Sequence, residues 1–269
     1  MTACVHVAAL QALMLDDPAG KCARAASLYA DWQAGALTCD AQAPTAWVDL
    51  PGRPPRPLLV PARAVPRRPP GTPAGRVALV HAVAHIEFNA INLALDAVQR
   101  FRGLPDDFYG DWLRVAAEEA RHFELLTARL QALGSAYGEL PANDGLWDAA
   151  RRTAHDPLLR MALVPRVLEA RGLDVTPGMI ERLRQAGDAE TVAVLEVILA
   201  EEVGHVAIGS RWYTHLCAER GLEPRSTFRR LLAEHRTAVF PPYNVEARLA
   251  GGFAAEELDA LAADAAAGR

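Results

Sequence analysis

The chain has 269 residues, a formal charge of −5 and 51% hydrophobic residues. That length allows one large domain, or one domain with substantial extensions, and the apolar half is enough for a sizeable core. The acidic balance gives no electrostatic reason to expect nucleic acid, and no run reaches about 18 uninterrupted apolar residues, so no membrane span is expected.

Residues 1–35 have a helical pattern. Val5, Ala8, Ala9, Ala12, Leu13 and Leu15 form an apolar stripe, and Asp16-Asp17-Pro18 starts a second helix through Ala25 and Leu28 to Trp32. The segment lacks a basic leader and a clear cleavage site, so it does not read as a signal peptide. Cys4, Cys22, Cys39 and Cys217 form no C-x-x-C pair. Scattered thiols of this kind point to a reducing compartment, and a cytoplasmic location is expected. Lys21 is the single lysine, which base composition explains.

From Ala41 to Gly75 ten prolines forbid a helix. The stretch also holds Arg53, Arg56, Arg63, Arg67 and Arg68. It reads as an extended strap over a helical body, anchored by Leu58, Leu59 and Val60; a polyanion-binding arm is the alternative.

The body follows. Thr72-Pro73 is a helix start, and the pattern runs to Arg102, ended by Gly103. A second helix starts near Asp106 or Asp111 and ends at Gly134. Residues 135–154 are looser. Asp156-Pro157 caps a third helix reaching Arg171-Gly172, Thr176-Pro177 opens a short one ending near Gly187, and a long helix runs from Asp188 to Arg220. Pro165 should kink the third helix. Two more patterns, Ser226 to Phe240 and Ala254 to Ala267, complete the chain, and nothing alternates as a strand would. The expected fold is all-α: residues 1–75 as N-terminal helices and strap, 76–221 as a four-helix bundle, and 222–269 as a C-terminal helical extension.

Two runs carry chemistry: Glu118-Glu119-Ala120-Arg121-His122 and Glu201-Glu202-Val203-Gly204-His205. Residues three apart share a helix face, so Glu119 points with His122 and Glu202 with His205. With 17 Glu and 8 His in the chain, chance alone gives roughly half of one Glu-x-x-His. Glu87 and Glu169 add weight. Each is a lone carboxylate on an apolar stripe, costly unless paired or metal-bound. The spacing from Glu87 to Glu119 nearly equals that from Glu169 to Glu202, so each half pairs a Glu helix with a Glu-x-x-His helix. Surface pairing or a buried ion pair is the bland alternative. Four carboxylates and two imidazoles suit iron or manganese.

These motifs, with His81-Ala-Val-Ala-His-Ile-Glu87 and Glu169-Ala-Arg-Gly-Leu-Asp174, resemble the ferritin-like di-iron carboxylate superfamily. Within it, they look like a bacterial family catalogued as a domain of unknown function (number four-five-five). The resemblance implies a ferritin-like four-helix bundle with Glu87, Glu119, His122, Glu169, Glu202 and His205 as ligands of two iron ions, with manganese or a mixed iron–manganese pair as the alternative. It also implies that Glu118 and Glu201 hydrogen-bond the opposite ligand His; Glu stands where many relatives have Asp. Arg166 is expected at the site's edge or in a structural salt bridge. No catalytic residue beyond the ligands is expected.

The implied activity is a dioxygen-activating oxidoreductase, a monooxygenase or hydroxylase acting on a small molecule. A ferroxidase or iron-handling protein, or a metal-binding protein without catalysis, is the alternative. The superfamily includes a hydroxylase of modified transfer RNA; the acidic balance argues against that substrate and the Arg-rich strap for it. The electron donor is not legible, and a homodimer is left open. His81 and the stripe His85, Asn89, Asn92 and Asp96 read as structural, hydrogen-bonded to the strap, and Trp212 and Tyr213 as core.

Overall fold

A short acid or hydroxyl followed by proline starts three of the helices. A computed structural model of the chain describes residues 3–66 and 68–267; Arg67 of the strap lies outside them. Helix α1 spans Val5–Leu13. Helix α2 spans Pro18–Gln33, and Asp17 caps it by accepting from the Gly20 amide at 2.7 Å. Helix α3 spans Pro73–Arg100, capped by Thr72 Oγ1 on the Gly75 amide at 3.0 Å. Helix α4 spans Asp106–Ala132, with Asp106 and Asp107 in its first turn favouring the positive end of the helix dipole.

Helix α5 (Gly145–Arg152) lies in the stretch expected to be loose. Helix α6 (Pro157–Leu163) is capped by Asp156 and runs into a π-helical turn at Val164–Glu169, followed by α7 (Ala170–Gln185) and α8 (Ala189–Glu219). The C-terminal helices are α9 (Pro224–Glu234), α10 (Val245–Ala250) and α11 (Ala255–Ala266). Two two-residue strands, Ala3–Cys4 and Leu37–Thr38, pair in parallel. They are too short to alternate, which is why no pattern announced them. The all-α expectation holds.

The chain forms two compact units. The first holds residues 1–151 and 182–194, and the second holds 152–181 and 195–269. In the first, α3 packs on α4 and α1, and α2 packs on α4. Helix α3 is long and apolar enough to cross a membrane, but 67% of that stretch is buried inside the fold, as in a core helix. The strap is tied down through its main chain. Arg102 and Gln99 donate to the Ala43 and Ala46 carbonyls, Trp147 Nε1 donates to the Asp49 carbonyl at 2.8 Å, and the Val60 amide donates to Ala142 at 2.8 Å. Leu58, expected to anchor the strap, is 61% exposed; its carbonyl, accepting from the Ala142 amide, makes the attachment instead.

The polar stripe of α3 is structural, with partners that lie mostly on the helical body. His85 Nδ1 meets Tyr137 Oη at 2.8 Å, and the His81 ring accepts from the Gly138 amide at 2.9 Å. Asp96 holds Arg100 and Gln99. Asn92 Oδ1 accepts from Lys21 Nζ at 2.5 Å. Lys21 also donates to the Leu13 and Gly52 carbonyls and lies 5.0 Å from the Phe88 ring centre. The single lysine is therefore a fully buried junction of α1, α2, α3 and strap. Burial pushes its pKa down to about 7, and the three acceptors oppose that loss of charge.

In the second unit, the helix at Arg171-Gly172 does not stop. Pro177 sits inside α7. Its missing amide would orphan the Leu173 carbonyl, and Asn244 Nδ2 donates to that oxygen at 3.2 Å. The helix expected to reach Phe240 ends at Glu234. The expected kink at Pro165 is the π-turn, and its ring lies against Gly209, where a Cβ would fall 2.2 Å from Pro165 Cβ.

Two outcomes test these anchors. Lys21→Met leaves three buried acceptors without their donor and should cost about 3 kcal/mol or more; a loss below about 1 kcal/mol in urea denaturation would show that they find others. Asp188 caps α8, accepting from the Thr191 amide at 3.1 Å and from Arg129 at 2.7 Å. Burial would raise its pKa, but Thr191 and Arg129 outweigh it and hold it below the usual carboxylate range. Its contribution is complete above the unfolded value and is lost as pH falls through the folded one. Asp188→Ala should lower stability at neutral pH by about 2–4 kcal/mol and flatten the acid limb of the stability profile.

Candidate metal centre

In the first unit, two helices joined by a short connection place three ligand-type side chains together. Phe88 and Phe123 are the chain neighbours of Glu87 and His122, and their rings meet at 5.3 Å. Tyr137 closes on both, at 5.8 and 4.9 Å. This aromatic contact sets the register of α3 against α4. His122 Nδ1 then lies 3.3 Å from Glu119 Oε2 and 3.5 Å from Glu87 Oε2. Glu119 and His122 are fully buried, and Glu87 is 3% exposed. Each of the three offers a ligand atom within 4.8 Å of the others.

The electrostatics are those of a site built for a cation. Burial alone would drive the His122 pKa down, but hydrogen bonds and charge from Glu119 and Glu87 push it up to about 11. Without a metal, the imidazolium balances part of the carboxylate charge. Oxygen and nitrogen donors of this kind, with no thiolate, fit a hard or borderline divalent ion such as iron or manganese. A buried Glu/His cluster that could bind a metal ion is therefore present.

The mirror half of the expected set lies in the second unit. His205 is fully buried on α8, and its Nδ1 lies 3.6 Å from Glu202 Oε1 one turn earlier. Glu169 closes the π-helical turn. Regular helical spacing would align it with Pro165 and Met161; the wider turn inserts a residue and rotates it by roughly 100°. Glu118 is 29% exposed and faces Arg114 Nε at 3.5 Å on its own helix, and Glu201 is half-buried on α8.

Arg166 takes the structural salt bridge, one of the two roles expected for it. Its guanidinium donates to Glu257 Oε1 at 2.5 Å and to Ser210 Oγ at 2.8 Å, among the rings of Tyr213, Phe228 and Phe253. An aromatic cage and a buried carboxylate together hold the guanidinium in place. Tyr213 and Trp212 are buried as core, with Tyr213 Oη donating to the Pro224 carbonyl at 2.7 Å. Tyr137, the lid of the aromatic contact, was missed in the sequence because it sits in an apparently loose segment. Its position soon after the α4 terminus was the available signal.

Comparison with known proteins agrees with the motif reading at the level of family. An uncharacterized protein of Haemophilus influenzae (strain ATCC 51907 / DSM 11121 / KW20 / Rd) is 49% identical over 214 residues, covering 77% of this chain and 74% of that protein. No solved structure matches the chain. A family model described as "Protein of unknown function (DUF455)" matches residues 14–259. That match spans the Glu87, Glu119 and His122 cluster and the Glu169, Glu202 and His205 half alike, and the chain belongs to this family.

Proposed function

We propose that the chain is a ferritin-like dinuclear metal protein that activates dioxygen to oxidise a small organic substrate. The observation that carries this reading is the buried cluster of Glu87, Glu119 and His122, with ligand atoms within 4.8 Å of one another. Glu169, Glu202 and His205 supply the same donor types from the second unit. The four carboxylates would balance two divalent cations, and the two imidazoles complete an oxygen–nitrogen donor set. Bound iron would supply the reduction of dioxygen and the oxidation of substrate.

The chain's own groups do the rest. His122 Nδ1 gives up its proton to take a metal. Apolar α3 and α4 exclude water and keep the donor set in place. Glu118 and Glu201 each precede a ligand and would orient the imidazole of the opposite half. The reading includes a cytoplasmic setting, in keeping with the four free thiols, and a separate electron donor.

Loading the protein with Fe(II) without oxygen, desalting and measuring metal should give about two ions per chain. Glu119→Ala should leave one or fewer; unchanged stoichiometry would refute the assignment. Exposed to dioxygen, the loaded protein should consume it rapidly without forming iron mineral. Mineral growth would instead support iron handling, and no oxygen uptake a metal without catalysis.

A further inference from the structure

The second unit contains a cavity of about 810 Å³ bounded by α9, the segment 235–240 and α11. Its volume is in the range used by small-molecule sites. Leu232, Val239 and Leu261 form an apolar floor, and Phe240 stands 57% exposed at its wall. None of Glu87, Glu119, His122, Glu169, Glu202 and His205 lines it.

Three arginines line the same cavity: Arg229, Arg230 and Arg236. Two are matched. Arg229 makes a bidentate pair with Asp264 at 2.7 and 2.9 Å, and Arg230 meets Glu234 at 2.9 and 3.1 Å. Among the described residues, none pairs with the Arg236 guanidinium. One unmatched cation is left beside an apolar floor.

The backbone at Arg236 singles it out further. Its φ is +49°, the left-handed region, where it ends α9 with the Thr237 amide donating back to the Leu232 carbonyl at 2.9 Å. Glycine normally takes that place. In this chain α2, α4, α7, α8 and α10 end on Gly35, Gly134, Gly187, Gly221 and Gly252, all at positive φ. Among the described residues, Arg236 is the single non-glycine residue there. The helix end would be easier with glycine, and the side chain that displaces it lines the cavity.

We propose that this cavity binds a monoanionic amphipathic small molecule, a fatty carboxylate, with its carboxylate on Arg236 and its alkyl chain over Leu232, Val239 and Leu261. The lone unmatched guanidinium sets the charge at one, and a bidentate fork suits a carboxylate. The apolar floor accounts for a chain rather than a bare anion.

Decanoate is the probe, titrated into the full-length protein by calorimetry below its self-association range. One decanoate per chain should bind, at least tenfold tighter than decanol, with acetate giving no saturable heat and decyl phosphate, a dianion, binding more weakly. Arg236→Gly should weaken decanoate at least tenfold while the Tm stays level or rises, because glycine relieves the left-handed backbone. Ala233→Trp, at an exposed position on the cavity wall, should block binding with the helical circular dichroism unchanged. The proposal is overturned if decanoate does not saturate, if decanol or decyl phosphate binds as tightly, or if both variants bind like the wild type. None of these readouts depends on metal at the Glu87, Glu119 and His122 cluster.

Discussion

Two carboxylates and one imidazole lie within 3.5 Å of contact between α3 and α4, with almost no surface open to solvent. Removing two carboxylates from water is costly, and the helix pair tolerates it only because the groups face one another. The shared proton on His122 offsets that charge, and a divalent cation would offset it more fully. The arrangement constrains its surroundings. The helices must hold their register, which Phe88, Phe123 and Tyr137 do through ring contacts. The opposite face of α3 must satisfy its own polar stripe without entering the cluster, which His85, Asn92 and Asp96 do through Tyr137, Lys21 and Arg100.

The second unit uses a different device to the same end. There the carboxylate helix is not regular: a π-turn carries Glu169 at its end, and Arg166 leaves that turn for the cage of Phe228, Phe253 and Glu257. A buried guanidinium bound by carboxylate and aromatic faces is a firm anchor. It fixes the turn before Glu169 to the C-terminal helices of the same unit.

What could be read from the chain was what is local. Thr72-Pro73, Asp17-Pro18 and Asp156-Pro157 start helices where they stand because a cap needs only its own next few amides. The grouping of Glu87 with Glu119 and His122 was legible because helical spacing assigns a face and a lone acid on an apolar face demands a partner. The failures required distant groups. Pro177 remains inside a helix because Asn244, far along the chain, takes up the carbonyl it orphans. Lys21 was assigned to base composition, since nothing near it reveals that Leu13, Gly52 and Asn92 converge on one nitrogen. For Arg166 a salt bridge was legible, but its partner, Glu257 in the last helix, was not.

The strap's attachment explains its composition. Proline has no amide hydrogen but keeps its carbonyl, so a proline-rich segment is a row of acceptors with few donors. The helical body is the complement: Lys21, Gln99, Arg102 and Trp147 are side-chain donors aimed outward at main-chain oxygens. Recognition therefore depends largely on the path of the strap, with Trp47 against Arg100 and Asp49 against Arg151 as side-chain additions. Drift can rewrite the exposed strap positions, such as Leu50 and Leu58, so long as the path survives, whereas Gly52, where a Cβ would fall 2.2 Å from the Met14 carbonyl oxygen, and each of the four donors are single points of failure. In a family sharing this fold, the exposed positions of the strap should be where sequences diverge, and Gly52 and the donors that hold it should not.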